Sequence, residues 1–306
     1  MVRKGIGYSF TAAFVLIIGY LAYLSIAESI VEVIGSPVNM LLLALAALFL
    51  FAAAYKGMSL LSKKMNFIIL IVLVVLIIAI QLFLVITMRM DALADSLVVK
   101  EQALTMLSDG GKFHDYIYFQ TYLNNIFVTI IRYELYHFGS FFGIHNYYLM
   151  DNLFIMVLMN ITIFSLAYIV KDSLGTKFTN LFLMLVLTCV PLFTYILYFY
   201  TDTLALPIVS LIVLSYYCYL KRGNWWILLI IGLLFAIGYQ VKPNLIILFP
   251  AMVIHIWLVK NYKKNASKSY AYWGSYITFF LHFRCHFIRR MGMKKTVVIL
   301  CLPHIL

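Results

Sequence analysis

The amino-acid sequence predicts an all-α polytopic membrane protein with about eight transmembrane helices and a large external loop bearing surface helices. Three observations carry this expectation. The chain has 306 residues, 65% of them hydrophobic and only 11% charged, at a mean hydropathy of +1.00, whereas a soluble domain is about half apolar and about a quarter charged. Apolar runs recur along it at the length of roughly 20 residues that a helix needs to cross the hydrocarbon. These runs do not alternate apolar and polar over segments of about 10 residues, as transmembrane strands do. Composition alone excludes a water-soluble enzyme, a disordered chain and a disulfide scaffold.

The first run, 7–27, follows Arg3 and Lys4 and is longer than the roughly 7–15 apolar residues of a secretory signal. Ser25, Ile26 and Ala27 keep a cleavage site as a lesser alternative. Further runs lie at 38–55 and 66–88. Residues 89–147 form the longest connection. Its second part, 124–147, is apolar but interrupted by Arg132, Glu134, His137 and His145, which predicts one or two amphipathic helices on the outer surface rather than a crossing. Crossings resume at 148–170, 178–198 and 203–220, and a closely spaced pair follows at 225–240 and 244–260. Three segments result: an N-terminal pair of helices over 1–65, a core over 66–268 with the external loop 89–147, and a tail over 269–306. The tail opens with an aromatic run, Tyr270 to Phe283, then changes texture in HFRCHFIRRMGMKK. That change predicts a frameshifted or truncated end.

Charge sets the orientation. The formal net charge of +12 invites a nucleic-acid reading, but in a membrane protein Lys and Arg collect in cytoplasmic loops. With Arg3 and Lys4 cytoplasmic, and the tail set aside, thirteen basic residues fall inside, among them Lys56, Lys63, Lys171, Lys221 and Lys260. Only Arg89, Lys100, Lys112, Arg132 and Lys242 fall outside. This predicts a multi-pass protein of the cell membrane with its N-terminus cytoplasmic, a membrane-lipid environment and no nucleic-acid partner. Ten of the eleven acids, all but Asp172, then lie at the outer face, so that face has the groups for chemistry.

Two of those acids stand out. Asp95 opens the helix-like stretch DSLVVKEQALTML, and Asp202 lies in YTDTLALP at the outer start of a crossing. A carboxylate at a membrane boundary is partly desolvated, which raises its pKa toward that of a general base. Each also fits a plain helix N-cap.

The series formed by Asp95 and Ala103, YFQTYLNN (Tyr118 to Asn125), YTDTLALP (Tyr200 to Pro207) and QVKPN (Gln240 to Asn244) resembles the GT-C membrane glycosyltransferases, in the bacterial branch related to the protein mannosyltransferases and the aminoarabinose transferases. The resemblance covers roughly residues 66 to 260. It implies a first core helix leading into a large external loop, with 7–27 and 38–55 as an N-terminal addition. It implies Asp95 as catalytic base or acceptor-orienting group, Asp202 as the second acid, and a polyprenyl-phosphate sugar as donor. Leu123 stands where this branch carries proline, and Asp91, four residues before Asp95, competes for the role of loop acid.

A departing polyprenyl phosphate needs positive charge beside it. Lys242 and Arg132 are the candidate phosphate contacts. Lys242 also fits a snorkelling lysine, and Arg132 a local pair with Glu134 or a headgroup contact. No cofactor is demanded outright, and a divalent metal is left open. Cys189, Cys218, Cys285 and Cys301 are scattered without a CxxC pair, which supports neither disulfides nor zinc. His282 and His286, with Cys285 between them, lack a fourth ligand. Asn160 and Asn265 head chance glycosylation sequons, and no nucleotide-binding glycine motif occurs. The expected function is therefore a transferase at the outer face, or an inactive remnant of one. A transporter or lipid flippase is the alternative, disfavoured because the spans are nearly free of internal charge.

Overall fold

The computed structural model describes residues 2–27, 37–114 and 116–259. Glu28, Glu32, Lys260, Asn265, His282, Cys285, His286, Cys301 and the tail 269–306 lie outside the described residues. The described residues form helices joined by loops, with no strand among them. It divides after Ile68 into two compact units.

The first unit holds α1 (Val2–Ala27), α2 (Pro37–Leu60) and the opening turns of α3 (Lys63–Thr87). Both α1 and α2 are apolar on all sides, and Leu16 and Phe49 are exposed; in water such helices would aggregate, and in lipid they are at rest. A two-residue turn joins α2 to α3. Ser62 Oγ accepts from the Met65 amide at 3.2 Å, and Asn66 Nδ2 donates to the carbonyls of Met58, Leu61 and Ser62 at 3.0, 3.2 and 3.2 Å. These bonds satisfy backbone groups that a helix end leaves open.

In the second unit α3 continues and is followed by α4 (Asp95–Ser108), α5 (Tyr116–Thr121) and α6 (Leu123–Phe141) in the long connection. Next come α7 (Tyr147–Leu174), α8 (Thr176–Thr188), α9 (Val190–Thr194) with a 3-10 turn, α10 (Thr201–Arg222), α11 (Trp226–Val241), a second 3-10 turn (Pro243–Ile247) and α12 (Leu248–Val259). One core joins Leu73 and Ile77 of α3, Ile163 and Ala167 of α7, and Leu183 and Val186 of α8. The spacing of four in α3 and α7 is what puts both residues on one face. A larger core gathers Val99, Ile126, Ile155, Met159, Ile212 and Ile231 from α4, α6, α7, α10 and α11. At Gly238 of α11 a Cβ would lie 3.1 Å from Ile208 Cγ2 and 3.2 Å from Leu245 Cδ1, so glycine allows the close α10–α11 approach that membrane helices favour.

Each of the eight expected crossings is represented by a helix or helix pair, though not all by a full-length span. Among the described residues four helices are long and apolar enough to cross: Leu41–Leu60, Lys63–Thr87, Tyr147–Leu174 and Thr201–Arg222. The run expected at 178–198 is broken, with α8 and the following helix bent by 73°. Pro191 causes the break, since proline lacks the amide that would continue the helix. The 13 residues of α8 reach only about 20 Å at about 1.5 Å per residue, short of the roughly 30 Å of hydrocarbon. Ala12–Leu24, Trp226–Val241 and Pro243–Ile256 are shorter apolar helices.

Over the stretch 124–147 the structure forms one helix, α6, which ends at Phe141, and of the residues that interrupt the apolar run Glu134, His137 and His145 are exposed while Arg132 is buried. A helix lying wholly on a surface would keep its whole polar face in water. Instead α6 buries Asn125, Thr129, Arg132 and Tyr136, spaced four, three and four apart on one face, and exposes Phe138 and Phe141. The polar stripe faces inward because α4 and α7 bring its partners.

Candidate functional site

The site is assembled at the head of α4. Asp95 is the first residue of that helix, and Ala94 before it has φ 48° and ψ −128°. This is backbone that a residue with a Cβ rarely adopts, and such strain is held only where the surroundings enforce it. The surroundings here are hydrogen bonds: Ser96 Oγ donates to the Phe199 carbonyl at 2.9 Å. The Asp95 carboxylate does not cap its own helix. Its Oδ2 accepts the Tyr200 hydroxyl at 2.9 Å, and the Tyr118 hydroxyl also bonds to it. Asn125 Nδ2 donates in turn to the hydroxyls of Tyr118, at 2.6 Å, and Tyr200, at 3.4 Å. One amide thus orients two phenols, and both phenols point their protons at one half-buried carboxylate.

Burial and the neighbouring Asp95 charge push the Tyr200 hydroxyl from its ordinary 10.0 up to about 12. Burial, with the hydrogen bond to Asp95, pushes Tyr118 well above the usual tyrosine range. Both therefore stay protonated donors at neutral pH.

Asp202 follows two residues after Tyr200, in the first turn of α10. Its exposed carboxylate pairs with Lys242, the residue that ends α11 before Pro243. Tyr198 registers both acids: burial raises its hydroxyl pKa, and the charges of Asp95 and Asp202 raise it further. The two carboxylates therefore act on one hydroxyl at one end of the bundle. The four sequence motifs come together here, through the Asp95–Tyr200, Asn125–Tyr200 and Lys242–Asp202 contacts.

Arg132 lies deeper. It is 3% exposed, and all three guanidinium nitrogens are engaged. Nε donates to Tyr136 Oη at 2.8 Å and to Asp151 Oδ2 at 3.1 Å, Nη1 donates to the Ser96 carbonyl at 3.1 Å, and Nη2 pairs with Asp151. The guanidinium also lies 4.7 Å from the Phe199 ring centroid. Its partner is thus Asp151 of α7, not the neighbouring Glu134. Tyr136 donates to Asp151 at 2.8 Å, and burial with that negative charge pushes its hydroxyl far above the ordinary range. The cluster ties α6 and α7 to the first turn of α4, one residue from Asp95.

Sequence reasoning missed Asp151, Tyr118, Tyr200 and Asn125 as side chains of the site. The spacing of Asn125, Thr129, Arg132 and Tyr136 was the available signal: four polar residues on one face of an otherwise apolar helix need buried partners. Asp91, the rival to Asp95, is exposed and accepts the Tyr148 hydroxyl at 3.0 Å. Among the described residues no three His, Cys, Asp or Glu gather as a metal site.

The sequence model of a family described as conserved hypothetical integral membrane protein matches residues 10–297. The chain belongs to that family. No curated protein and no solved structure matches it. The family description agrees with the apolar helices in making the chain an integral membrane protein, and it takes in both the converging motifs and the tail as far as residue 297.

Proposed function

We propose that this family member is a glycosyltransferase-like enzyme that moves a sugar from a polyprenyl-phosphate donor to an acceptor hydroxyl at the outer face of the membrane. The observation that supports it is the cradle around Asp95: a half-buried carboxylate fixed by two tyrosines. The acceptor hydroxyl gives its proton to Asp95 as its oxygen bonds to the anomeric carbon. The bond from that carbon to the phosphate oxygen breaks, and the polyprenyl phosphate leaves with the electron pair. A positioned base of this kind contributes roughly 10²–10⁴-fold.

The two basic residues expected at the phosphate divide the work. Lys242 and Asp202 are 35% and 55% exposed, and exposed pairs are worth only about 0–1 kcal/mol. A phosphate can displace Asp202 from Lys242 at little cost. Arg132 is held in a buried pair whose disruption costs about 3–5 kcal/mol, so it positions α4 instead. The outer-face location rests on the charge asymmetry of the loops.

The test is transfer from a labelled polyprenyl-phosphate sugar in membranes containing the full chain. Asp95→Asn is expected to lose at least about a hundredfold in rate, and Asp202→Asn to lose less. Equal transfer by wild type and both variants removes the mechanism.

A further inference from the structure

Lys100, five residues along α4 from Asp95, is only 7% exposed. Its ammonium lies 3.4 Å from the centroid of the Tyr148 ring. Among the described residues it has no hydrogen-bond acceptor and no carboxylate within 4.0 Å. Buried charges are ordinarily paired because an unpaired one is costly, and a ring face replaces an anion only in part. Asn152 of α7 is 5% exposed, and its amide makes no hydrogen bond among the described residues. Both side chains line one narrow cleft, together with Ser96, Tyr148 and Tyr198. Arg132 and Asp151 on its wall pair with each other, and the Lys100 charge also acts on Asp151 from beyond 4.0 Å, so these three groups carry one net positive charge. Asp91 is bonded to Tyr148 nearby but lies more than 4.0 Å from the ammonium. The cleft is left with one positive charge and one open amide.

Depth identifies what belongs there. Tyr148, Asp151 and Asn152 occupy the first turns of α7, the end of a membrane-crossing helix. At 28 residues α7 is about 42 Å long, more than the roughly 30 Å of hydrocarbon, so its first turn reaches the level of lipid phosphates. The centre of the cleft admits no more than one water-sized group, so a single phosphate oxygen enters and the rest of a headgroup stays outside.

We propose that this cleft seats the phosphate of a membrane lipid, with the Lys100 ammonium supplying the charge and the Asn152 amide a hydrogen bond. The inference deepens the transferase reading by giving the donor phosphate, beside the partly exposed Lys242, a second basic contact at Lys100. It rests on that reading only for the identity of the lipid, since binding requires no transfer.

The experiment is native mass spectrometry of the full chain in detergent, titrated with short-chain phosphatidic acid or with the matching diacylglycerol. Phosphatidic acid is expected to bind saturably at one site and diacylglycerol not to bind. Lys100→Gln should weaken the phosphatidic acid by at least about tenfold, while Lys112→Gln, an exposed lysine of the same connection, should leave it unchanged. Asn152→Asp, which sets a negative charge in the cleft, should weaken it too and carries the test if Lys100→Gln fails to fold. Competition by millimolar inorganic phosphate would assign recognition to the phosphate group alone, and absence of competition to the lipid-borne ester. Wild-type affinity in Lys100→Gln and Asn152→Asp, or equal binding of diacylglycerol, overturns the proposal. Specific binding without any sugar transfer would uphold the cleft and sink the transferase reading; loss of lipid binding in Lys100→Gln with transfer unchanged would uphold the cleft and overturn its assignment to the donor.

Discussion

Replacing Arg132 by methionine is the most informative single change to the architecture of the site. Methionine keeps the length of the side chain but strands Asp151, which is 5% exposed, without its counter-ion. At the 3.1 Å between Nε and Oδ2 and an effective dielectric constant of about 20, the attraction lost is about 5 kcal/mol. Measured costs of breaking buried pairs on one side are about 3–5 kcal/mol, and total stabilities are only about 5–15 kcal/mol. Arg132→Met should therefore lower the unfolding temperature of the purified protein sharply, and Asp151→Leu alone should do likewise by stranding the arginine. The double variant should recover most of the loss, because removing both charges also removes their desolvation cost. Thermal unfolding in one detergent, run on all four proteins, reads this cycle. Additive losses, with the double variant worse than either single one, would refute the pairing.

Three further outcomes follow from the same structure. Gly139→Ala sets a Cβ 2.2 Å from Met150 Cε, so it should destabilise by about 1–3 kcal/mol, and Met150→Ala in the same chain should relieve it; equal unfolding temperatures with and without Met150→Ala would contradict this. Tyr200 ionises near 10.0 when unfolded and near 12 when folded, so its contribution is intact below pH 10 and lost as pH rises toward 12; Tyr200→Phe should flatten that part of the stability curve. With the N-terminus cytoplasmic, single cysteines at Lys112 and Ser173 in a cysteine-free chain should label from opposite sides of the membrane, and same-side labelling would overturn the orientation.

The helices were legible because hydropathy runs are long and one solvent dictates them. What hydropathy does not carry is length after a break: Pro191 turns one expected crossing into two short pieces. The site was legible as motifs and not as contacts. Asp95 and Asp202 stand out as acids at helix starts, yet nothing local in the sequence says that Tyr200, 105 positions away, will donate to Asp95. Arg132 was the hardest to read. It sits two residues from Glu134, and local electrostatics favours that neighbour, but burial selects Asp151, 19 positions along the chain, because a guanidinium enclosed by α4, α6 and α7 needs a carboxylate enclosed with it. Asn125 and Tyr118 lie inside a quoted motif, and their role emerges only when α5 and α6 fold back over α4.

Chemical rescue of Asp95→Ala bears most directly on the central claim. If a carboxylate at this position takes the acceptor proton, the alanine variant loses transfer from the labelled lipid donor and millimolar formate restores a measurable part of it, while Asp95→Asn, with no space for the added ion, stays inert. Asp95→Ala turning over at the wild-type rate would contradict the account.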